Sequence, residues 1–325
     1  MTEISRIDIH SHFIPDNYRR AVAAASWSDT DHFPMVPWSL DGHIANMAAH
    51  GIDASILSIS DPGLRILRGG GAASELARSV NERARAIIKS HPGLFGAFAL
   101  LPMPDVAAAI DEVDDALDRL GLDGIGLFTN YDGIYLGDSR FDALLSKLNE
   151  RCAVVFVHPT DPPGFRELSI GLVAPALEFP FDTTRCVVSL LLASVPLHFP
   201  NIRFIFSHGG GTLPFLAARL APFVSAKLAS ADPATDAEAV QCQLAAFYYD
   251  TAAVTSTPAL AALKQFVPVS QLMLGFDFPF MPPAMIAPAL TAMDHFDGWS
   301  AAERRQVYAG SALSVFPRLA ARLKA

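Results

Sequence analysis

The chain has 325 residues, 51% of them hydrophobic and 18% charged, with a net charge of −9. That composition supplies a sizeable core and excludes a disordered chain. The acidic balance, without any basic run, argues against nucleic acid as a partner and demands local positive charge wherever an anion is to bind.

The first predicted element is RIDIHSH, residues 6–12. In a strand alternate side chains share a face, which would set Asp8, His10 and His12 on one side and Ile7 and Ile9 on the other, until Pro15 and Asp16 break the run. SLDGHIANMAAHG reads as a helix capped by Ser39 and stopped by Gly51, and DASILSIS as the second strand. Residues 60–73, around DPGLRILRGGGAA, contain a run of three glycines and are expected to be a mobile loop. LFGAFALLP follows as a third strand. DVAAAIDEVDDALDRLG places Val106, Ile110, Val113, Leu117 and Leu120 on one helical stripe, with Gly121 as C-cap. GIGLFT is the fourth strand. DSRFDALLSKLNE is a helix with Asp138 as N-cap and Phe141, Leu144, Leu145 and Leu148 at core spacing. AVVFVHP is the fifth strand. After it, residues 159–185 are expected to form a long lid-like loop. IRFIFSHGG is the sixth strand, the Ala-rich stretch near 221–246 a helix, turn and helix, and AFYYDT and QLMLGFDFP the last two strands.

Eight strands alternating with helices in one chain predict an α/β protein, a (β/α)8 TIM barrel forming a single domain over residues 1–325. An open doubly wound sheet would need fewer strands, and no Gly-x-Gly-x-x-Gly follows the first strand. Cys152, Cys186 and Cys242 form no Cys-x-x-Cys pair and read as free thiols. Residues 1–15 lack the pattern of a signal peptide, and the most apolar later stretch, CVVSLLLASVPLHFP, is too short and interrupted to span a bilayer. A soluble cytoplasmic protein with no membrane partner is therefore expected.

Chemistry in such barrels sits at the C-terminal ends of the strands. The first strand ends in His10 and His12, the fifth in His158, the sixth in His208 and the eighth in Asp277. Three neutral imidazoles and a carboxylate suit one divalent ion, Zn²⁺ or Mn²⁺, and leave the site near a charge of +1. His208 is either a further ligand or a proton-transfer group. Asp8 is expected to support the two histidines of the first strand from behind. His32, His43, His50, His91, His198 and His295 carry no assigned role.

DIHSHFIP, VVFVHPT, FPFDTTR, NIRFIFSHGGGTLPFLAARL and LGFDFPF together resemble the amidohydrolase superfamily, and within it the metal-dependent decarboxylases of aminocarboxymuconate semialdehyde, γ-resorcylate and 6-methylsalicylate. The resemblance runs from the first strand to the eighth. It implies a (β/α)8 barrel holding one divalent ion on His10, His12, His158 and Asp277, without the bridging lysine of binuclear relatives; no lysine occurs in residues 90–146. It implies that His208 is the active-site base. It also implies that Arg219 reaches a neighbouring subunit's site to bind the substrate carboxylate, so the protein would be a homodimer or higher homo-oligomer. Two departures bear on the substrate. Residues 21–64 contain no arginine, which argues against the muconate semialdehyde and leaves Arg65 or Arg68 to bind the anion. His10 stands where γ-resorcylate-type enzymes carry glutamate. PWSLDGHIANMAAHGIDASILSIS is most similar to the 6-methylsalicylate type.

The expected reaction is non-oxidative decarboxylation of a small hydroxylated aromatic or unsaturated carboxylic acid, with Asp277 and then His208 as candidates to deliver the proton. A hydrolase of the same superfamily cleaving a lactone or amide, or a hydratase, is the alternative within the same site chemistry. A non-catalytic metal-binding barrel is the alternative outside it, and it has no use for His208.

Overall fold

The computed structural model describes residues 5–25, 35–67, 70–168, 170–229 and 235–324. Its central sheet runs β1 (Ile7–His12), β2 (Ala54–Ser58), β3 (Phe95–Leu100), β4 (Gly124–Phe128), β5 (Val154–His158), β6 (Arg203–Phe206), β7 (Tyr248–Asp250) and β8 (Leu272–Met273). Each strand pairs in parallel with the next, in that order. The segment after β8 closes the circle against β1: Ile9 N donates to Leu274 O (2.9 Å), Asp277 N to His10 O (2.8 Å) and His12 N to Phe278 O (2.7 Å). The result is the expected near-closed (β/α)8 barrel, with a last strand shorter than QLMLGFDFP suggested. No helix among the described residues is long and apolar enough to cross a membrane.

Side chains from alternate strand positions fill the interior. Ile7, Ile9, Ala54, Ile56, Phe98, Phe156, Ile205 and Met273 form one buried cluster, and Phe316 of the C-terminal region closes it from below. A larger shell packs between strands and helices. Several local signals act as expected. Ser39 accepts from Gly42 N and Gly51 adopts the left-handed C-cap of Leu40–His50. Asp138 caps the turn that leads into Asp142–Glu150, and the structure adds Asp105 as the cap of Val106–Asp114.

Three expectations are corrected. The register of β1 against β2 slips by one residue between Asp8 and Ser11, a bulge that changes which face follows. Ile7 and Ile9 therefore share the barrel interior with His10 and His12, and Asp8 falls on the opposite face. There it accepts from His10 N (3.0 Å), Ser11 Oγ (2.6 Å) and Phe276 N (3.2 Å). It fastens the bulge backbone and not an imidazole. The second correction concerns 159–185: from Ala174 onward it is a helix, Ala174–Leu192. Its prolines mask the periodicity, although Pro175 sits in the first turn, where a missing N–H costs little. Buried Asp182 pins this helix by accepting from Thr129, from Asn130 Nδ2 (3.1 Å) and from Tyr135 OH (2.7 Å). Thirdly, within 60–73, Arg65–Leu67 is a 3-10 turn and Gly71 already begins the helix Gly71–Ser90. Residues 68–69, and with them Arg68, lie outside the described residues.

Candidate metal centre

The barrel brings His10, His12, His158 and Asp277 to one point at its C-terminal mouth, with one ligand atom from each lying within 4.8 Å of the others. His10 and His12 come from the bulged end of β1, and His158 is the last residue of β5. Asp277 follows β8 in a left-handed conformation, φ 63°, which a non-glycine residue adopts only when its surroundings impose it.

The hydrogen bonds fix which nitrogen of each imidazole faces inward. His10 Nδ1 lies 2.7 Å from Asp250 Oδ2, and His158 Nδ1 lies 2.7 Å from Pro159 O. Both partners only accept, so both Nδ1 atoms carry the proton. Ser58 Oγ donates to Ser11 O (3.2 Å) and accepts from His12 Nδ1 (2.8 Å). All three Nε2 lone pairs are thus left to converge. His10 Nε2 and His12 Nε2 face each other at 3.1 Å. Asp277 Oδ1 stands 3.0 Å from His12 Nε2 and 3.5 Å from His10 Nε2, and is buried without a hydrogen-bond partner. Four acceptors aimed at one another require a cation among them, and their N₃O chemistry fits a divalent transition metal.

The electrostatics agree. Burial pushes the pKa of His12 down and that of His158 well down, so both stay neutral. Burial also opposes a charge on His10, but Asp250 and Asp277 outweigh it and raise its pKa to about 10. Burial works against the Asp277 carboxylate too, yet the facing imidazoles, His10 above all, hold its pKa well below the ordinary value. The acidic groups around the centre therefore favour positive charge at the point where the three imidazoles and Asp277 meet.

His208 stands beside this set and outside it. Its Nε2 is 3.5 Å from Asp277 Oδ2, its Nδ1 is buried with no partner, and its backbone is left-handed, φ 52°. The glycines that follow let the turn press against the neighbouring helix: a Cβ on Gly211 would fall 2.0 Å from Pro180 O. Asp250 was missed from the sequence. Fully buried, it joins two elements of the site, because Oδ2 takes His10 Nδ1 while Oδ1 accepts from His208 N (2.8 Å) and Ala252 N (2.9 Å). Its signal was present: AFYYDT also closes an apolar strand with a carboxylate, as LMLGFD does. Phe156, with its ring 5.0 Å from His10, Phe280, 5.5 Å from His12, and Phe179, 5.9 Å from His158, are among the aromatic neighbours of the cluster.

The two arginines are placed elsewhere. Arg65 is ion-paired to Asp61 (2.5 Å), which also accepts from Thr160, and lines a surface cleft of about 400 Å³ with Asn130, Asp161 and Phe165. Arg219 is exposed on the helix Leu213–Leu228, between Phe215 (88% exposed) and Phe223 (69%).

The family profile described as amidohydrolase matches residues 7–318. The chain belongs to the amidohydrolase family. It is 34% identical to a 6-methylsalicylic acid decarboxylase of Penicillium expansum, with 97% of each chain covered. It is 35% identical to a decarboxylase of Aspergillus niger, covering 97% of this amidohydrolase and 88% of that protein. Its fold matches the crystal structure of a dihydroxybenzoic acid decarboxylase from a Polaromonas species, described with bound manganese and the inhibitor 2-nitroresorcinol. The TM-score is 0.82 at 20% identity, over 96% of this chain and 97% of that one.

Proposed function

We propose that this amidohydrolase is a metal-dependent, non-oxidative decarboxylase of a small hydroxylated aromatic acid. The observation that carries the reading is the convergence of three Nε2 lone pairs and Asp277 Oδ1, each Nδ1 being held elsewhere, in a chain that matches a 6-methylsalicylic acid decarboxylase over 97% of its length. His10, His12, His158 and Asp277 hold the ion, Zn²⁺ or Mn²⁺. When bound, a divalent ion polarises the carboxylate and adjacent phenol oxygen of a hydroxy acid.

The chain's own groups then manage one proton. Asp277 splits its duties between its oxygens: Oδ1 faces the imidazoles and Oδ2 faces His208. Asp277, ionised at rest, is the first candidate to pass a proton to the ring carbon that bears the carboxylate, taking it from His208 across Oδ2, and His208 is the second candidate, as the direct donor. Protonation of that carbon lets the bond to CO₂ break with its electron pair returning to the ring, so no aryl carbanion forms. Phe179 and Phe280 limit water beside the reacting atoms.

Arg219 binds the substrate carboxylate in a neighbouring copy. In its support, it stands between two exposed phenylalanines on a helix that packs beside Ala174–Leu192, where Leu177 and Phe181 are also exposed, an apolar face suited to an isologous dimer. Arg219→Met should raise KM, and mixed oligomers with a His158→Ala chain should recover activity; unchanged KM and kcat in Arg219→Met would remove that role. Arg65, if it meets substrate, first has to leave Asp61. The reading as a whole is tested by CO₂ release from Zn²⁺- or Mn²⁺-loaded protein over a panel of ortho-hydroxybenzoates. Release that requires metal supports it, whereas no release with metal bound stoichiometrically sends the assignment to hydrolysis, with lactones as the next panel.

A further inference from the structure

Beside His158 the interior wall of the barrel carries a small recess. Ser58, Leu100, Gly126, Phe128, Phe156 and His158 line it, and it has room for a single water-sized group, about 10 Å³. Its polar walls are already engaged. Ser58 Oγ is bonded to His12 Nδ1 and Ser11 O, His158 Nδ1 to Pro159 O, and His158 Nε2 points to the ligand cluster. Leu100, Gly126 and Phe156 are register partners across β3, β4 and β5, so their backbones belong to the ladder. A buried water needs two to four polar partners, which this wall does not offer, whereas a methyl group needs none.

Gly126 opens the recess. Two residues earlier on the same face, Gly124 is glycine by necessity: a Cβ there would lie 2.6 Å from Val154 O. At Gly126 a Cβ would make only ordinary contacts, 3.4 Å to Ala99 O and 3.7 Å to Phe98 Cβ, and the backbone is that of a normal strand. Neither sterics nor backbone conformation therefore calls for glycine, which weakens a strand relative to alanine. Gly126 is also the one residue of β4 that is not fully buried. A glycine that the backbone does not require, inside a strand, marks a place where something else approaches closely.

We propose that this recess is a substrate subsite that takes a methyl-sized apolar substituent on the aromatic ring, and that Gly126 sets its size limit. The inference rests on the decarboxylase reading for the identity of the ligand. Wild type, Gly126→Ala and Gly126→Val, each checked for metal content and melting temperature, are compared on two panels. One is salicylate with its monomethyl isomers, read as kcat/KM. The other is 2-nitrophenol with its monomethyl isomers as unreactive analogues, read as Kd by calorimetry. In wild type one methyl isomer should be favoured over the unsubstituted compound by about tenfold or more in both panels. The preference should shrink in Gly126→Ala and disappear in Gly126→Val. Absence of any methyl preference in wild type, or its survival in either variant with metal bound, overturns the subsite. A methyl preference in Kd that the variants lose, with no CO₂ from any salicylate, keeps the subsite and sinks the decarboxylase reading instead.

Discussion

At the floor of the barrel Asp123 is a buried carboxylate that accepts Ala97 N (3.1 Å) and two bonds from Arg322 Nη2 (2.9 and 2.8 Å). At the mouth Asp277 is equally a carboxylate among nitrogen groups, but the nitrogens are three inward-facing lone pairs and its Oδ1 has no donor. The floor pairs opposite charges and ties the C-terminal helix to the strands. The mouth gathers acceptors and holds both His208 and Asp277 at positive φ. One end spends its polar groups on stability and the other keeps them unsatisfied, which is the condition for binding a cation.

Mutations should separate the two ends. His158→Ala should cost more activity than the ~100-fold typical of losing an outer partner of a metal ligand. It should no longer retain metal on dialysis and should keep a native circular dichroism spectrum; full metal occupancy in that variant would remove His158 from the ligand set. Arg322→Ala should do the reverse. It strands a buried carboxylate at a cost of about 3 kcal/mol, read by denaturant melts, while metal affinity stays as in wild type. A loss of metal affinity there would show that floor and mouth are coupled. Asp250→Asn tests the mouth more finely. With His10 no longer oriented, metal affinity by chelator competition should fall about 10- to 100-fold, and unchanged affinity would reduce Asp250 to a strand anchor.

The smallest effect lies far from both ends, at the capping box of Ala301–Arg305, where Ser300 and Glu303 exchange hydrogen bonds. Ser300→Ala should cost about 1 kcal/mol and leave activity alone. The Ser300 backbone N–H and then Lys264 lower the Glu303 pKa from 4.5 to about 2. Because the folded value is the lower one, this stabilisation is present above pH 4.5 and is lost as pH falls toward 2. Acid melts of Glu303→Gln and wild type should therefore converge in that window.

The strands were legible because each is a short apolar or aromatic run closed by a turn signal. The ligands were legible because each closes such a run. Asp250 obeyed the same rule and was passed over because its neighbours, Tyr248 and Tyr249, read as ordinary strand residues. The helix Ala174–Leu192 was hidden by Pro175 and Pro180, whose cost depends on position within a helix and not on composition.

By itself the sequence determined the number and order of the strands and the residues at their ends, His10, His12, His158, His208 and Asp277, since strand periodicity and turn chemistry are local; the family resemblance then singled out His10, His12, His158 and Asp277 as the donor set. The tertiary structure alone decided three things. It placed the bulge that turns His10 and His12 inward and Asp8 away. It joined Asp250 to His10 across 240 residues. It also made Gly126, unremarkable in GIGLFT, the open wall of a recess. Each depends on register or on a contact between distant strands, and these are fixed only when the barrel closes.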